Sequence, residues 1–190
     1  ETDEGAWLRE NVEFLVIPFV DTDGVEDGDQ GKARKPRDHN RDYEGKSLYP
    51  ETRAIRELVP RWSDGKMRIA LDMHSPWIRE PNMYQVGAPR DAIRREQRVF
   101  GRLLESEASK RKALPYRTSK DIPWGKGWNT PKNYTGGLGC SHWCGKIDGV
   151  RISTTLEIPY SVVGKTTITT ANARLFCGAL AAAIKGYLDK

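Results

Sequence analysis

Along the chain the apolar positions group into continuous runs and helical stripes. The run VEFLVIPFV at 12–20 is almost unbroken, as in a strand covered on both faces. A turn-rich stretch follows, DTDGVEDGDQGKARKPRDHNRDYEGKSLYP, with no apolar period. Loops of that length inside compact domains usually carry function. Pro50 then opens a predicted helix whose stripe is Ile55, Leu58 and Val59. RIALDMHS at 68–75 reads as a second buried strand, and NMYQVG as a shorter one. Ile93, Phe100, Leu103 and Leu104 recur at helical spacing and predict a helix over 90–112. The stretch from Tyr116 to Gly149 is polar and rich in Gly and Trp. VRISTTLEIPY at 150–160 is a third strand, and TTANARLFCGALAAAIKGYL a closing amphipathic helix. Strands alternating with helices, without repeat or linker, predict one α/β domain over 1–190: a mixed, mostly parallel sheet with helices on both faces.

Composition narrows the class. Hydrophobic residues make up 37% and charged residues 30%, an ordinary globular balance rather than a disordered one. The longest apolar stretches, FLVIPFV and LFCGALAAAI, are too short to span a membrane. The net charge of +5 comes from clusters such as GKARKPRDHNR and SKRKALPYRTSK. Over 91–112 Glu alternates with Arg and Lys at helical spacing, which reads as a solvated face. No nucleic-acid reader motif accompanies the charge, so no nucleic-acid partner is expected. The chain starts Glu-Thr-Asp, without Met or a visible signal peptide. Compartment stays open, with a secreted or periplasmic place favoured if an N-terminal segment was removed. The odd count of three cysteines excludes a complete disulfide framework. CSHWC places His142 between Cys140 and Cys144, but a structural zinc site takes about four ligands and this is a single cluster. A Cys140–Cys144 disulfide stays open.

Open α/β sheets bind ligands beyond the carboxyl ends of their strands. That rule gathers the chemistry-bearing residues. The first strand runs into the long basic loop, the second ends at His74, and the third carries Glu157. Alternation puts Asp72 and His74 on one strand face. A carboxylate inside an apolar strand is costly unless paired or used, and Glu157 is otherwise an edge residue facing water. His74 has the alternative of a hydrogen-bonded core histidine, Arg41 of a surface ion pair with Asp38 or Asp42, and Tyr134 of a packing residue.

PFVDTDGV, DHNRDY, LDMHS and TTLEIPY, in this order and over nearly the whole chain, resemble motifs of the zinc metallocarboxypeptidase family, the carboxypeptidase A-like peptidases. DHNRDY is similar to the family's Asp-x-Asn-Arg-Asn-aromatic motif, while Asp21-Thr22 replaces the Asn-Pro of its strand-end Asn-Pro-Asp-Gly. The resemblance implies a zinc-dependent peptidase that removes a C-terminal residue. His74 would be a zinc ligand. Glu157 would take a proton from metal-activated water and pass it to the leaving amine. Asn40 and Arg41 would grip the substrate carboxylate, a guanidinium fork matching it bidentately. Tyr134, in NYTGGLGC, sits about where the family keeps a mobile-loop tyrosine. A further cation would face the oxyanion. Gly31 occupies the simplest ungapped position, which leaves Lys32 and Arg34. The family's side-chain pocket residue falls near Ser141 or His142, a lean towards polar or acidic substrate side chains that includes cell-wall peptides.

One element is missing. The family draws two more zinc ligands from a His-x-x-Glu motif upstream of the first matched strand, and no His-x-x-Glu occurs in this sequence. The expectation is the C-terminal two-thirds of a single catalytic domain, without its N-terminal strands and inactive alone. Asp72 would orient neighbouring groups, or become a ligand itself in the incomplete site. Two other functions fit parts of the pattern: a zinc-dependent deacylase acting on acyl-amino acids, and a metal-free module that binds carboxylates. The expected partner is a peptide or acyl-amino-acid substrate with a free carboxylate.

Overall fold

The computed structural model describes residues 2–29, 31–76 and 78–189. Helix α1 (Asp3–Asn11) leads through an extended segment to the short α2 (Thr22–Asp27) and then α3 (Pro50–Ser63). Strands β1 (Ile69–His74), β2 (Arg79–Glu80) and β3 (Tyr84–Val86) precede the long α4 (Asp91–Lys110). The short α5 (Cys140–Cys144) is followed by β4 (Ile152–Glu157), β5 (Val162–Val163), β6 (Thr166–Thr167) and α6 (Thr170–Leu188). The fold is α/β and mixed, as the alternation of patterns predicts. No helix among the described residues is long and apolar enough to cross a membrane.

The ends of the helices follow local chemistry. Pro50 occupies the first turn of α3, where its missing N–H has no partner to lose. At the start of α6, Thr169 and Asn172 form a reciprocal capping box, each side chain accepting from the other's backbone N–H.

The main sheet has the order β1-β4-β3. β1 and β4 run parallel, in register from Ile69 opposite Ile152 to His74 opposite Glu157. β3 is antiparallel to β4, with Tyr84 opposite Glu157. A second small sheet has the order β2-β5-β6. Every residue of the central strand β4 is buried. Its Ile152 and Leu156 pack with Phe100 and Leu104 of α4 and with Phe176 and Tyr187 of α6. On the opposite face Ser153 donates to the carbonyl of Ser141 at 2.5 Å, and Thr155 pairs with the Ser141 hydroxyl at 2.9 Å. Hydroxyls are tolerated inside this strand because α5 satisfies them. A second apolar cluster, Tyr43, Ile55 and Val59 with Leu15, Val20, Cys140 and Trp143, joins the long loop to α3 and α5.

The expectation of a buried strand at 12–20 is corrected. The segment belongs to no sheet, and Phe14 (53% exposed), Val16 (73%) and Phe19 (61%) face solvent. Leu15 and Val20 turn inward onto the second cluster. Among the described residues, positions 13–20 make no backbone–backbone hydrogen bond. Apolar character brought the segment to the core's edge, but no strand among the described residues pairs with it to complete a ladder.

Candidate active site

The site forms where β1 and β4 end. Because these strands are parallel and in register, His74 and Glu157 finish side by side, with Nδ1 of His74 4.0 Å from Oε1 of Glu157. Asp72, two residues back on the same face, reaches Nε2 of His74 at 3.2 Å. The same nitrogen lies 3.0 Å from the amide nitrogen of Asn40. Burial lowers the affinity of His74 for a proton, but Asp72, by field and hydrogen bond, and Glu157 outweigh it. The imidazole is pushed up to about 9.

Glu157 is buried, and its Oε2 has no hydrogen-bond partner among the described residues. The edge-strand reading of Glu157 is therefore excluded. Its carboxyl is pushed above the usual range, first by burial and then by Asp72, against the opposing fields of His74 and Lys32. A buried carboxylate oxygen without a partner is costly, and such groups concentrate where chemistry is done.

Asn40 and Arg41 are presented by one turn of the long loop. Residues His39–Arg41 form a 3-10 turn capped by Asp38, whose Oδ1 accepts from the Asn40 N–H at 2.8 Å. The loop is fixed from below by Asp42. Fully buried, that carboxylate accepts from the N–H groups of Leu48 and Tyr49 at 3.0 Å each and from the Thr52 hydroxyl at 2.5 Å. Burial pushes Asp42 up, but these donors and Arg37 outweigh it and hold the carboxyl below its ordinary value. Asp42 thus takes its ion pair from Arg37, at 3.3 Å. Arg41 donates to the carbonyl of Asn40 at 2.7 Å and lies over the Tyr134 ring, 5.2 Å from its centroid. Tyr134 in turn packs on His142 at 4.2 Å and donates to Asn129 at 3.0 Å.

The loop 136–140, singled out in the sequence for Tyr134 and Cys140 but not as a support of Asn40 and Arg41, holds this turn in place. The Cys140 N–H donates to Oδ1 of Asn40 at 2.6 Å, orienting the amide so that its NH2 faces His74 and Asp72. Gly137 has φ +132, and a Cβ there would lie 2.0 Å from the carbonyl oxygen of Arg41. Only glycine allows that approach. The clue in the sequence is the pair Gly136-Gly137 beside Tyr134, whose meaning needs the Arg41 backbone next to it.

The two candidate cations differ. Arg34 is held by Asp29 at 2.7 Å and Asp21 at 3.2 Å. Lys32, in the turn Gly31–Ala33, acts on Glu157 through its field. Cys140 and Cys144 are free thiols, so no disulfide joins them. His142 is buried against Trp124 and Tyr134; burial, with Arg41 and Lys146 nearby, lowers its imidazole to about 4.

As a metal centre the donor set is incomplete. His74 and Asp72 stand together, yet the described residues contain no group of three His, Cys, Asp or Glu side chains arranged to hold a metal ion. A catalytic zinc takes about three protein ligands.

No protein-family model matches the chain, and no curated protein matches it either. Among solved structures, the fold is that of a metallo-carboxypeptidase. The chain is similar to the metallo-carboxypeptidase from Burkholderia cenocepacia, with a TM-score of 0.74 at 18% sequence identity. The likeness covers 98% of this chain and 47% of that one, so the chain spans about half the length of its structural relative.

Proposed function

We propose that the chain is the substrate-holding and proton-accepting part of a zinc-dependent, carboxypeptidase-like peptidase. The observation that carries the reading is the buried Oε2 of Glu157, without a hydrogen-bond partner among the described residues and set beside His74, whose Nε2 meets Asn40 of the turn that also bears Arg41. Asn40 and Arg41 hold the free carboxylate of a peptide and so place its last amide bond near Glu157. Glu157 accepts a proton from the attacking water and returns it to the leaving amine; its raised proton affinity suits both halves of that transfer. Lys32, whose field reaches Glu157, faces the developing oxyanion. Tyr134, stacked under Arg41, borders the bound residue. His74 offers one imidazole to a zinc ion, and the described residues do not complete that site.

Binding tests the grip on this chain directly. A peptide with a free C-terminal carboxylate should bind and its amide should not, and Arg41→Ala should remove the difference. Equal affinity for both forms in the native chain would refute the exopeptidase reading. In a longer form carrying a His-x-x-Glu motif, Glu157→Gln should keep substrate binding and lower turnover on the order of 100- to 10,000-fold. The incomplete donor set favours one second reading, a carboxylate-binding module without catalysis. Selective binding without hydrolysis in the zinc-supplied longer form would select it.

A further inference from the structure

Asn129 is fully buried in the Gly- and Trp-rich stretch and is not used by the chemistry above. Both ends of its carboxamide are engaged. Nδ2 donates to the carbonyls of Gly87 at 2.8 Å and Ile122 at 3.2 Å, and Oδ1 accepts from the Tyr134 hydroxyl at 3.0 Å. Its backbone is engaged too, the N–H donating to Lys126 at 3.0 Å and the carbonyl accepting from Gly125 at 2.8 Å. Removing one partner of such a buried group leaves the other with its full desolvation penalty.

The segment 123–134 leans on this residue. Among the described residues its backbone–backbone hydrogen bonds stay inside it or reach forward only to Gly137, so none ties it to a strand or to α5. Its start is fixed by close packing, since a Cβ on Gly87 would lie 2.7 Å from the Trp124 nitrogen. Its end, the turn Pro131–Tyr134, is joined to the fold through Asn129, whose side chain spans from Gly87, directly after β3, to the tip of Tyr134. The Tyr134 ring meets the site: Arg41 lies over it, and His142 packs on it with Trp124 behind, 5.4 Å away. Burial pushes the Tyr134 phenol up against the field of Arg41, so the hydroxyl keeps its proton and serves as a donor. A tyrosine beside a ligand site can act through its hydroxyl or through its ring. Here a buried acceptor holds the hydroxyl, which leaves the ring to face Arg41.

We propose that Asn129 is a positioning residue that latches the Tyr134 hydroxyl and so fixes the ring as a preformed floor for the Arg41 guanidinium. Its functional part rests on the carboxylate grip proposed above, while the latch itself rests on the geometry of Asn129. Without the latch the ring is free to turn about its side-chain bonds, and Arg41 loses a fixed cation–π neighbour. The guanidinium must then be ordered each time a carboxylate binds, and that ordering is felt as lost affinity.

Two variants of the full chain test this from opposite ends: Tyr134→Phe keeps the ring and Asn129→Ala keeps the hydroxyl. In the ligand-free protein, nuclear magnetic resonance should show the Arg41 side-chain N–H displaced by the ring current of Tyr134. In both variants that resonance should move towards the position of an unstacked arginine. The affinity for N-acetyl-alanine should fall roughly two- to tenfold in each. The double variant should bind no more weakly than the weaker single one, because both changes remove one interaction. An Arg41 resonance unmoved in Tyr134→Phe would overturn the latch, whether or not Asn129→Ala folds. Affinity lost in Tyr134→Phe but kept in Asn129→Ala would give the hydroxyl to the ligand and overturn it as well, as would losses that add in the double variant. Moved resonances with native affinity would overturn the link between latch and grip. Moved resonances in a chain whose native form does not bind N-acetyl-alanine would uphold the latch and overturn the carboxylate grip.

Discussion

The two edges of β1 have different neighbours. Along one edge its six residues pair in register with β4, which is itself flanked by β3 and sandwiched between α5 and the α4–α6 pair. Along the other edge no strand of the described residues pairs with it, and the apolar segment 12–20 joins no sheet and lies largely in solvent. Burial of side chains and completion of a hydrogen-bonded ladder are thus separate requirements. Segment 12–20 meets the first in part, through Leu15 and Val20, and the second not at all. An open strand edge is a template for pairing with another strand.

Hydrogen exchange should show the widest contrast. Amides of Ile152–Glu157 should exchange only through global opening, while those at 13–20 should exchange near the rate of an unfolded chain, a gap of several orders of magnitude. Comparable protection in the two segments would mean that 12–20 finds a partner strand in solution.

Truncations come next. Phe100 is 1% exposed and packs edge-on against Tyr187, so Phe100→Ala should cost about 3–5 kcal/mol in a urea unfolding experiment. Phe14→Ala or Val16→Thr should stay within about 0.5 kcal/mol and reduce self-association. A large loss at Phe14 would break the comparison.

Gly137→Ala probes the junction between the regions. A methyl group 2.0 Å from the Arg41 carbonyl must displace the grip turn, at a cost of about 1–3 kcal/mol and with loss of carboxylate binding. Retained binding would show that the turn is not held from this side.

A pH slope is expected inside the well-paired region. Asp121, between Tyr116 and the Gln85 N–H, is pushed up to about 7 by burial and Glu105, against the hydrogen bonds of Gln85 and Tyr116. Raising a carboxyl in the folded state means the fold holds a proton that the unfolded chain has released. Stability should therefore decline as pH rises from about 4 to about 7, and Asp121→Asn should flatten that decline. An unchanged slope in the variant would assign it to another group.

Much of this was readable from residue order. The α4 stripe, Pro50 at a helix start and the strand ending at His74 each rest on local periodicity or backbone restriction, which tertiary context here left alone. The candidate site was legible as residue types: Asn40-Arg41 side by side, His74 at a strand end, Glu157 inside an apolar strand. Its support was not. Cys140 holding Asn40, Gly137 touching Arg41, and Asn129 joining Gly87 to Tyr134 pair residues from distant parts of the chain. No local pattern encodes such pairings, because each depends on which loop the fold brings alongside.

By itself, then, the sequence determined the helices and the strands ending at His74 and Glu157, and which side chains are the candidates for proton transfer and carboxylate binding. The tertiary structure alone decided that β1 and β4 run in parallel register, which sets His74 against Glu157, and that Glu157 is buried with one oxygen unpaired among the described residues. It also decided that 12–20 is no strand. Periodicity records how a segment meets the core, whereas membership of a sheet depends on a second backbone being present to exchange hydrogen bonds.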